Sequence, residues 1–284
     1  MKLYLSVDME GITGLVDHTN VLREKENYER SRKIMTDEAN AVIYAGFREK
    51  CSEVVVNDSH SSMNNLLVER LHPETQLISG SVKPYSMVQG LDQTFDGAIF
   101  LGYHAKASMP GVMSHSMIFG ARNMYIDDMN IGELGFNAYV AGYYGVPVLM
   151  VAGDDQTALE AQQLIPNVTT AIVKQAISRS AAKTLTPKKA EQLLQEKTAA
   201  AIQHKHLVKP LIPPKHLVKP LIPPKHPTLR IEFANYGQAE WAHLMPGTEI
   251  EPGTTTVRFQ AKDILEAYQA MLVMTELATR TTFC

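Results

Sequence analysis

Cysteine is nearly absent. Cys51 and Cys284 are the only two in 284 residues, so no disulfide framework can form and the chain fits a reducing compartment. Basic excess is missing too. Lys and Arg total 27 against 30 Asp and Glu, a formal net charge of −3. No surplus remains to neutralise phosphates, which excludes a nucleic-acid footprint. Only 17 glycines rule out a collagen-like repeat, and a hydrophobic fraction of 45% rules out disorder. At the N-terminus only Leu3 to Val7 precede Asp8, too short for a secretory signal. One run, Leu134–Gly153, goes 20 residues without a charge, long enough to span a bilayer. It carries Asn137, Gly145 and Pro147, however, and reads as a buried helix to about Tyr144 followed by a buried strand from Val148 to Val151. A cytoplasmic protein with no membrane partner is expected.

What is present is alternation. Leu3–Val7 reads as a strand, 28–49 as an amphipathic helix with Met35, Ala39, Val42, Ile43 and Phe47 at helical spacing, and 53–56 as a second strand. A short helix over 66–71, a short strand over 76–79, a long strand over 97–101, a hairpin over 125–131, a helix from Glu133 and the strand at Val148 follow. That order implies an α/β fold, a three-layer, mostly parallel sheet with helices on both faces. Residues 1–166 are expected to form this domain. Residues 167–284 read as a smaller α+β domain: a strand at 169–173, a helix at 187–203, strands at 229–233 and 255–259, and a helix at 261–279.

A tandem repeat interrupts the second part. His206–Lys215 recurs unchanged as His216–Lys225. Ten residues are too short a period for a solenoid, and three prolines per copy favour extended structure. A docked Pro-rich motif is one reading. A tolerated duplication in a surface connector is the simpler one.

The chemistry-bearing residues fall at strand ends. Asp8 and Glu10 close the first strand and can share a face, because side chains alternate. His60 follows the second strand, His104 ends the third long one, and Glu133 heads a helix. In a parallel sheet these ends share one edge, where ligands bind. Two imidazoles and three carboxylates suit a pair of zinc-like ions better than Mg or Ca, which prefer oxygen alone. Singly, each has an ordinary structural role open to it: a turn cap, a helix N-terminus, a hydrogen-bonded histidine. His115, in a loop-like stretch, can move protons or stabilise an oxyanion beside the metals, or simply bond Ser114 or Ser116. Asp154 and Asp155 can meet a substrate ammonium or cap the helix near Gln156.

On these residues the chain resembles the bacterial zinc-dependent D-aminopeptidases of dipeptide-transport operons. The resemblance is carried by Ser6-Val7-Asp8-Met9-Glu10-Gly11, Asn57-Asp58-Ser59-His60, Gly102-Tyr103-His104, Ser114-His115-Ser116 and Gly132-Glu133-Leu134-Gly135, and runs on through Phe233-Ala234-Asn235-Tyr236 and Glu240-Trp241. It implies two Zn2+ per subunit, with Asp8 bridging, Glu10 and His60 completing one site and His104 and Glu133 the other. It implies His115 as the catalytic histidine. Short peptides would be the substrates, losing an N-terminal D-amino acid such as D-Ala to metal-activated hydroxide, and the assembly would be a homodecamer of two stacked pentameric rings. One departure stands out, since the family's connector resembles a single copy of the ten-residue unit. Two other functions compete: a dinuclear phosphoesterase, weakened by the lack of basic residues near the motifs other than Lys106, and a non-catalytic peptide-binding protein.

Overall fold

The computed structural model describes residues 1–206 and 220–281. Its elements in chain order are β1 (Lys2–Val7), α1 (His18–Val21), α2 (Tyr28–Arg48), β2 (Glu53–Asp58), β3 (Gln76–Ile78), β4 (Gly97–Tyr103), β5 (Ala121–Ile126), β6 (Met129–Ile131), α3 (Glu133–Tyr143), β7 (Val148–Asp154), α4 (Asp155–Leu164), β8 (Thr169–Ser178), β9 (Ala181–Thr184), α5 (Pro187–His206), β10 (Thr228–Phe233), α6 (Tyr236–His243), β11 (Thr248–Ile250), β12 (Thr256–Gln260) and α7 (Ile264–Ala278).

Seven strands form one sheet in the order β3-β2-β1-β4-β7-β8-β9. Every pairing is parallel except β8 with β9. The expected mixed α/β, parallel-dominated architecture is therefore present. The two faces of β1 explain the layering. Leu3, Leu5 and Val7 pack into a core shared with Met35, Val42 and Ile43 of α2 and Leu194 and Ile202 of α5. Tyr4 packs on the opposite face, in a core with Phe136 of α3 and Tyr268 and Met271 of α7. The next even position after Tyr4 and Ser6 is Asp8, so the strand's own alternation aims this carboxylate toward the α3 and α7 side.

The second sheet is antiparallel, in the order β11-β12-β10-β5-β6. It covers the same core, with α3 in contact with β4 of the large sheet and β6 of the small one. A division of the chain at residue 166 does not follow these sheets. β8 and β9, beyond that point, extend the large sheet, and α5 packs on α2. β5, before it, pairs with β10 about a hundred residues later, and β6 pairs with β5 at the edge of that sheet. The hairpin at 125–131 is present but belongs to the second sheet, and the helix expected at 66–71 is a single 3-10 turn, Val68–Arg70.

The charge-free run divides as its punctuation implied, into α3 and β7. Among the described residues no helix is long and apolar enough to cross a membrane. The repeat at 206–225 lies mostly outside the described residues. Within its described end, Leu221 packs on the core.

Candidate metal centre

Backbone contact between strand ends builds the site. Asp8 N–H donates to Leu101 O at 2.8 Å and Gly11 N–H to Gly102 O at 2.7 Å. A Cβ on Gly11 would overlap the Tyr103 carbonyl, and one on Gly102 the Asp8 carbonyl. Gly102 also has φ +72°, open to glycine at little cost. Two glycines thus let the ends of β1 and β4 touch, which brings Asp8 and Glu10 to His104.

All six residues singled out from the sequence meet at the C-terminal edge of the parallel strands, and five of them are buried. His60 Nδ1 lies 3.3 Å from Asp8 Oδ1 and 3.0 Å from Glu10 Oε2. His104 Nε2 lies 3.6 Å from Asp8 Oδ2 and 3.4 Å from Glu133 Oε2. The two oxygens of Asp8 therefore face different histidines. His115 Nε2 is 3.6 Å from Glu133 Oε1, and its ring stacks on His104 with centroids 4.0 Å apart.

Each imidazole is held by its outer nitrogen. His60 Nε2 pairs with Val21 O at 2.9 Å, His104 Nδ1 with Ala105 O at 3.0 Å, and His115 Nδ1 with Met113 O at 2.9 Å. A carbonyl only accepts, so these nitrogens carry a proton, and the inner ones are the nitrogens turned toward the carboxylates. Such outer bonds are the usual support of metal-bound histidine. His115 bonds neither Ser114 nor Ser116 through this nitrogen.

The donor set fits divalent zinc. Ligands about 2.0–2.2 Å from a tetrahedral ion stand roughly 3.3–3.6 Å from one another, and the histidine–carboxylate separations run from 3.0 to 3.6 Å. Asp8 Oδ2 and Glu10 Oε2 are buried without a hydrogen-bond partner, a cost that a cation would remove. Asp8, Glu10 and His104 form one group of potential ligands, and His104, His115 and Glu133 another.

The electrostatics point the same way. Burial, then the adjacent Glu10, pushes Asp8 up to about 7. Burial works to raise Glu10, yet His60 beside it holds that carboxyl well below the usual range. Burial opposes charge on His104, but Glu133 and Asp8 push it up to about 10. Three carboxylates in one buried cluster thus demand positive charge. His115 behaves oppositely. Burial and then His104 lower it, leaving a neutral base at the edge of the cluster.

A cavity of about 530 Å³ opens over these groups. Its walls include Met63, Met87, Met117, Ile118 and Leu272, with Gln238, Thr275 and Glu276 from α6 and α7. Among the described residues no Lys or Arg lines it, which weakens the phosphoesterase reading.

Several supporting residues carried no local signal. Lys174, 2% exposed in β8, donates to the carbonyls of Glu10, Ile12 and Leu15 and fixes the turn that carries Glu10. Glu160 accepts from Lys106 N–H at 2.9 Å, just past His104. Lys83 donates to Asn57 Oδ1 at 2.7 Å and Asp58 O at 2.6 Å, behind His60. Asp154 caps α4 by accepting from Thr157 N–H at 2.7 Å, and its other oxygen takes Val112 N–H at 2.6 Å in the loop leading to His115. Asp155 is occupied by Ala176 N–H. Asp154 thus caps its helix and Asp155 ties that helix to β8, and neither is free to meet a substrate ammonium. A lysine directly after the apolar Ala171-Ile172-Val173 is the only hint the sequence offers of Lys174.

With this geometry in place, comparison defines the class. A D-aminopeptidase family model matches residues 1–273, and the chain belongs to that family. The D-aminopeptidase of Bacillus subtilis (strain 168) is 70% identical over 284 residues, covering 100% of both chains. The solved Zn-dependent D-aminopeptidase DppA from Bacillus subtilis, a self-compartmentalizing protease, matches with a TM-score of 0.95, 70% identity and full coverage of both chains.

Proposed function

We propose that this chain is a zinc-dependent aminopeptidase that releases N-terminal D-amino acids, such as D-Ala, from short peptides. The observation that carries the reading is the placement of Asp8 between His60 and His104, with one carboxylate oxygen toward each ring. In this reading Asp8 would be shared by two zinc ions, one of which Glu10 and His60 would hold and the other His104 and Glu133. Zinc bound there supplies an activated water near neutral pH and polarises the scissile carbonyl.

The chain's own residues do the rest. Glu133 divides its oxygens between His104 on one side and His115 with Met117 N–H on the other. His115, neutral and only part-buried, takes up the proton released on attack and returns it to the leaving amine. Its fixed Nδ1–H leaves Nε2 as the working atom. Glu276, the acidic lining residue outside the ligand set, is available to a substrate's free α-ammonium, and the methionine walls shed water around a small side chain.

The neighbouring solved protease is self-compartmentalizing. We take this chain to form the corresponding homodecamer, two stacked pentameric rings enclosing a chamber, in the cytoplasm. Access to such a chamber favours small or unfolded peptides.

The test is hydrolysis of D-Ala-D-Ala and L-Ala-L-Ala, each with and without excess chelator. Turnover of the D-peptide that vanishes with chelator is expected. Equal turnover of both isomers would contradict D-specificity, and equal turnover with chelator would contradict the metal role.

A further inference from the structure

Beyond the metal cavity, on the far side of His115, lies a second hollow of opposite charge. Ser108, Ser114, His115, Phe119, Arg122 and Arg179 line it, and among the described residues no Asp or Glu does. The metal cavity next to it is lined by Asp8, Glu10, Glu133 and Glu276 and, among the described residues, by no Lys or Arg. His115 and Phe119 border both. Across one aromatic partition the protein thus passes from a carboxylate-rich wall to two guanidiniums.

A continuous series of contacts joins the two sides. His104 stacks on His115 at 4.0 Å, His115 meets Phe119 at 5.1 Å, and the Arg179 guanidinium sits 5.4 Å from the Phe119 ring. A di- or tripeptide, roughly 7–11 Å long at 3.3–3.6 Å per residue, can follow this series. Arg179 is positioned by its Nε, which donates to Ser114 O at 3.1 Å, while Met113 N–H donates to Arg179 O at 2.8 Å. Arg122 makes no ion pair among the described residues.

We propose that Arg122 and Arg179 form a subsite for the free C-terminal carboxylate of a short peptide. The inference rests on the aminopeptidase reading above and adds which end of the substrate is read, and by what. Direction follows from chemistry. His115 protonates the leaving amine, so the leaving residue lies on the His115 side of the scissile bond, toward the arginines. The substrate's carboxylate then faces the two arginines, and Phe119, 66% exposed, packs against the leaving residue. Guanidinium is the group best shaped to take a carboxylate through paired N–H donors.

The experiment compares the zinc-loaded protein on D-Ala-D-Ala and on D-Ala-D-Ala amide, which differ only at the terminal carboxyl. Wild type is expected to favour the acid in kcat/KM by roughly tenfold to a hundredfold, as for a charge-assisted hydrogen bond, with the difference mainly in KM. In Arg122→Gln that ratio falls toward one, whatever change is common to both substrates, and Arg122→Lys restores part of it. Arg179→Gln gives a second reading, with added disturbance from the lost Ser114 contact. Acid and amide turned over equally by wild type overturn the subsite. So does a ratio unchanged in both Arg122→Gln and Arg179→Gln. Hydrolysis of neither substrate overturns the aminopeptidase reading itself, and the subsite with it.

Discussion

Replacing Lys174 by Met removes a buried ammonium while keeping much of its volume. Three carbonyls, those of Glu10, Ile12 and Leu15, lose their shared donor. Hydrogen bonds from a charged donor contribute about 1.5–3 kcal/mol each. Against this stands the relief of desolvating the charge, itself several kcal/mol, and burial already pushes this amine down to about 8. The net expected loss of folding stability is about 3–5 kcal/mol, the usual result of leaving buried partners uncompensated. A second effect is specific to the site. The freed turn carries Glu10, and loss of such outer support typically weakens metal affinity by about 10–100-fold. At fixed excess zinc, that lowers the zinc-dependent part of the stability by about 1.4–2.7 kcal/mol. Denaturant unfolding with chelator and with excess zinc, on wild type and variant, separates the two. A destabilised variant with an undiminished zinc increment would reduce Lys174 to a fold-stabilising residue. Unchanged stability in both conditions would refute the reasoning altogether.

Three further outcomes follow. His115→Ala is expected to retain bound zinc and lose about 10²–10⁴ in kcat; loss of metal content instead would make His115 a ligand. Glu38, buried in α2, accepts from Thr13 N–H at 3.0 Å, and burial raises its carboxyl from 4.5 to about 8, partly opposed by Lys174. Its native proton favours folding fully below about pH 4.5, and that contribution is lost as pH rises to 8, so Glu38→Gln should match wild type near pH 4.5 and be more stable at pH 8 by on the order of a few kcal/mol in unfolding free energy. A wild-type advantage at pH 8 would contradict this. Asp154→Ala should lower the melting temperature through the lost cap, about 1 kcal/mol, and cut kcat more than zinc binding, because Val112 N–H steadies the loop that presents His115.

Asp8, Glu10, His60 and His104 were legible as a group because the parallel strands β1, β2 and β4 end on one edge, whereas Glu133 follows β6 of the second sheet and His115 lies in the β4–β5 loop. A short motif at the end of β1, β2 or β4 therefore declares its neighbours even when they lie about fifty residues apart. The strand and helix starts around Asp8, His60, His104 and Glu133 needed only local periodicity. What escaped was non-local. Nothing in Ala121–Ile131 says that its partner strand is Thr228–Phe233, so the second sheet could not be assembled from the hairpin alone. The strand at 169–173 reads as part of a separate domain because its pairing to β7 leaves no trace in composition, and β9 carries no strand signal of its own. Lys174, Glu160 and Lys83 look like surface charges in sequence, and only burial against backbone groups reveals their work. The charge contrast across His115 and Phe119 is likewise invisible in sequence, since Arg122 lies in β5 and Arg179 in the distant turn between β8 and β9.

The most direct test titrates zinc back into chelated protein while bound metal and D-Ala-D-Ala hydrolysis are followed together. Activity should return as bound zinc approaches two per chain, and His60→Ala and Glu133→Ala should each retain a single ion. Full activity in the fully chelated protein, or both ions still bound after both ligands are removed, would contradict a zinc pair bridged by Asp8.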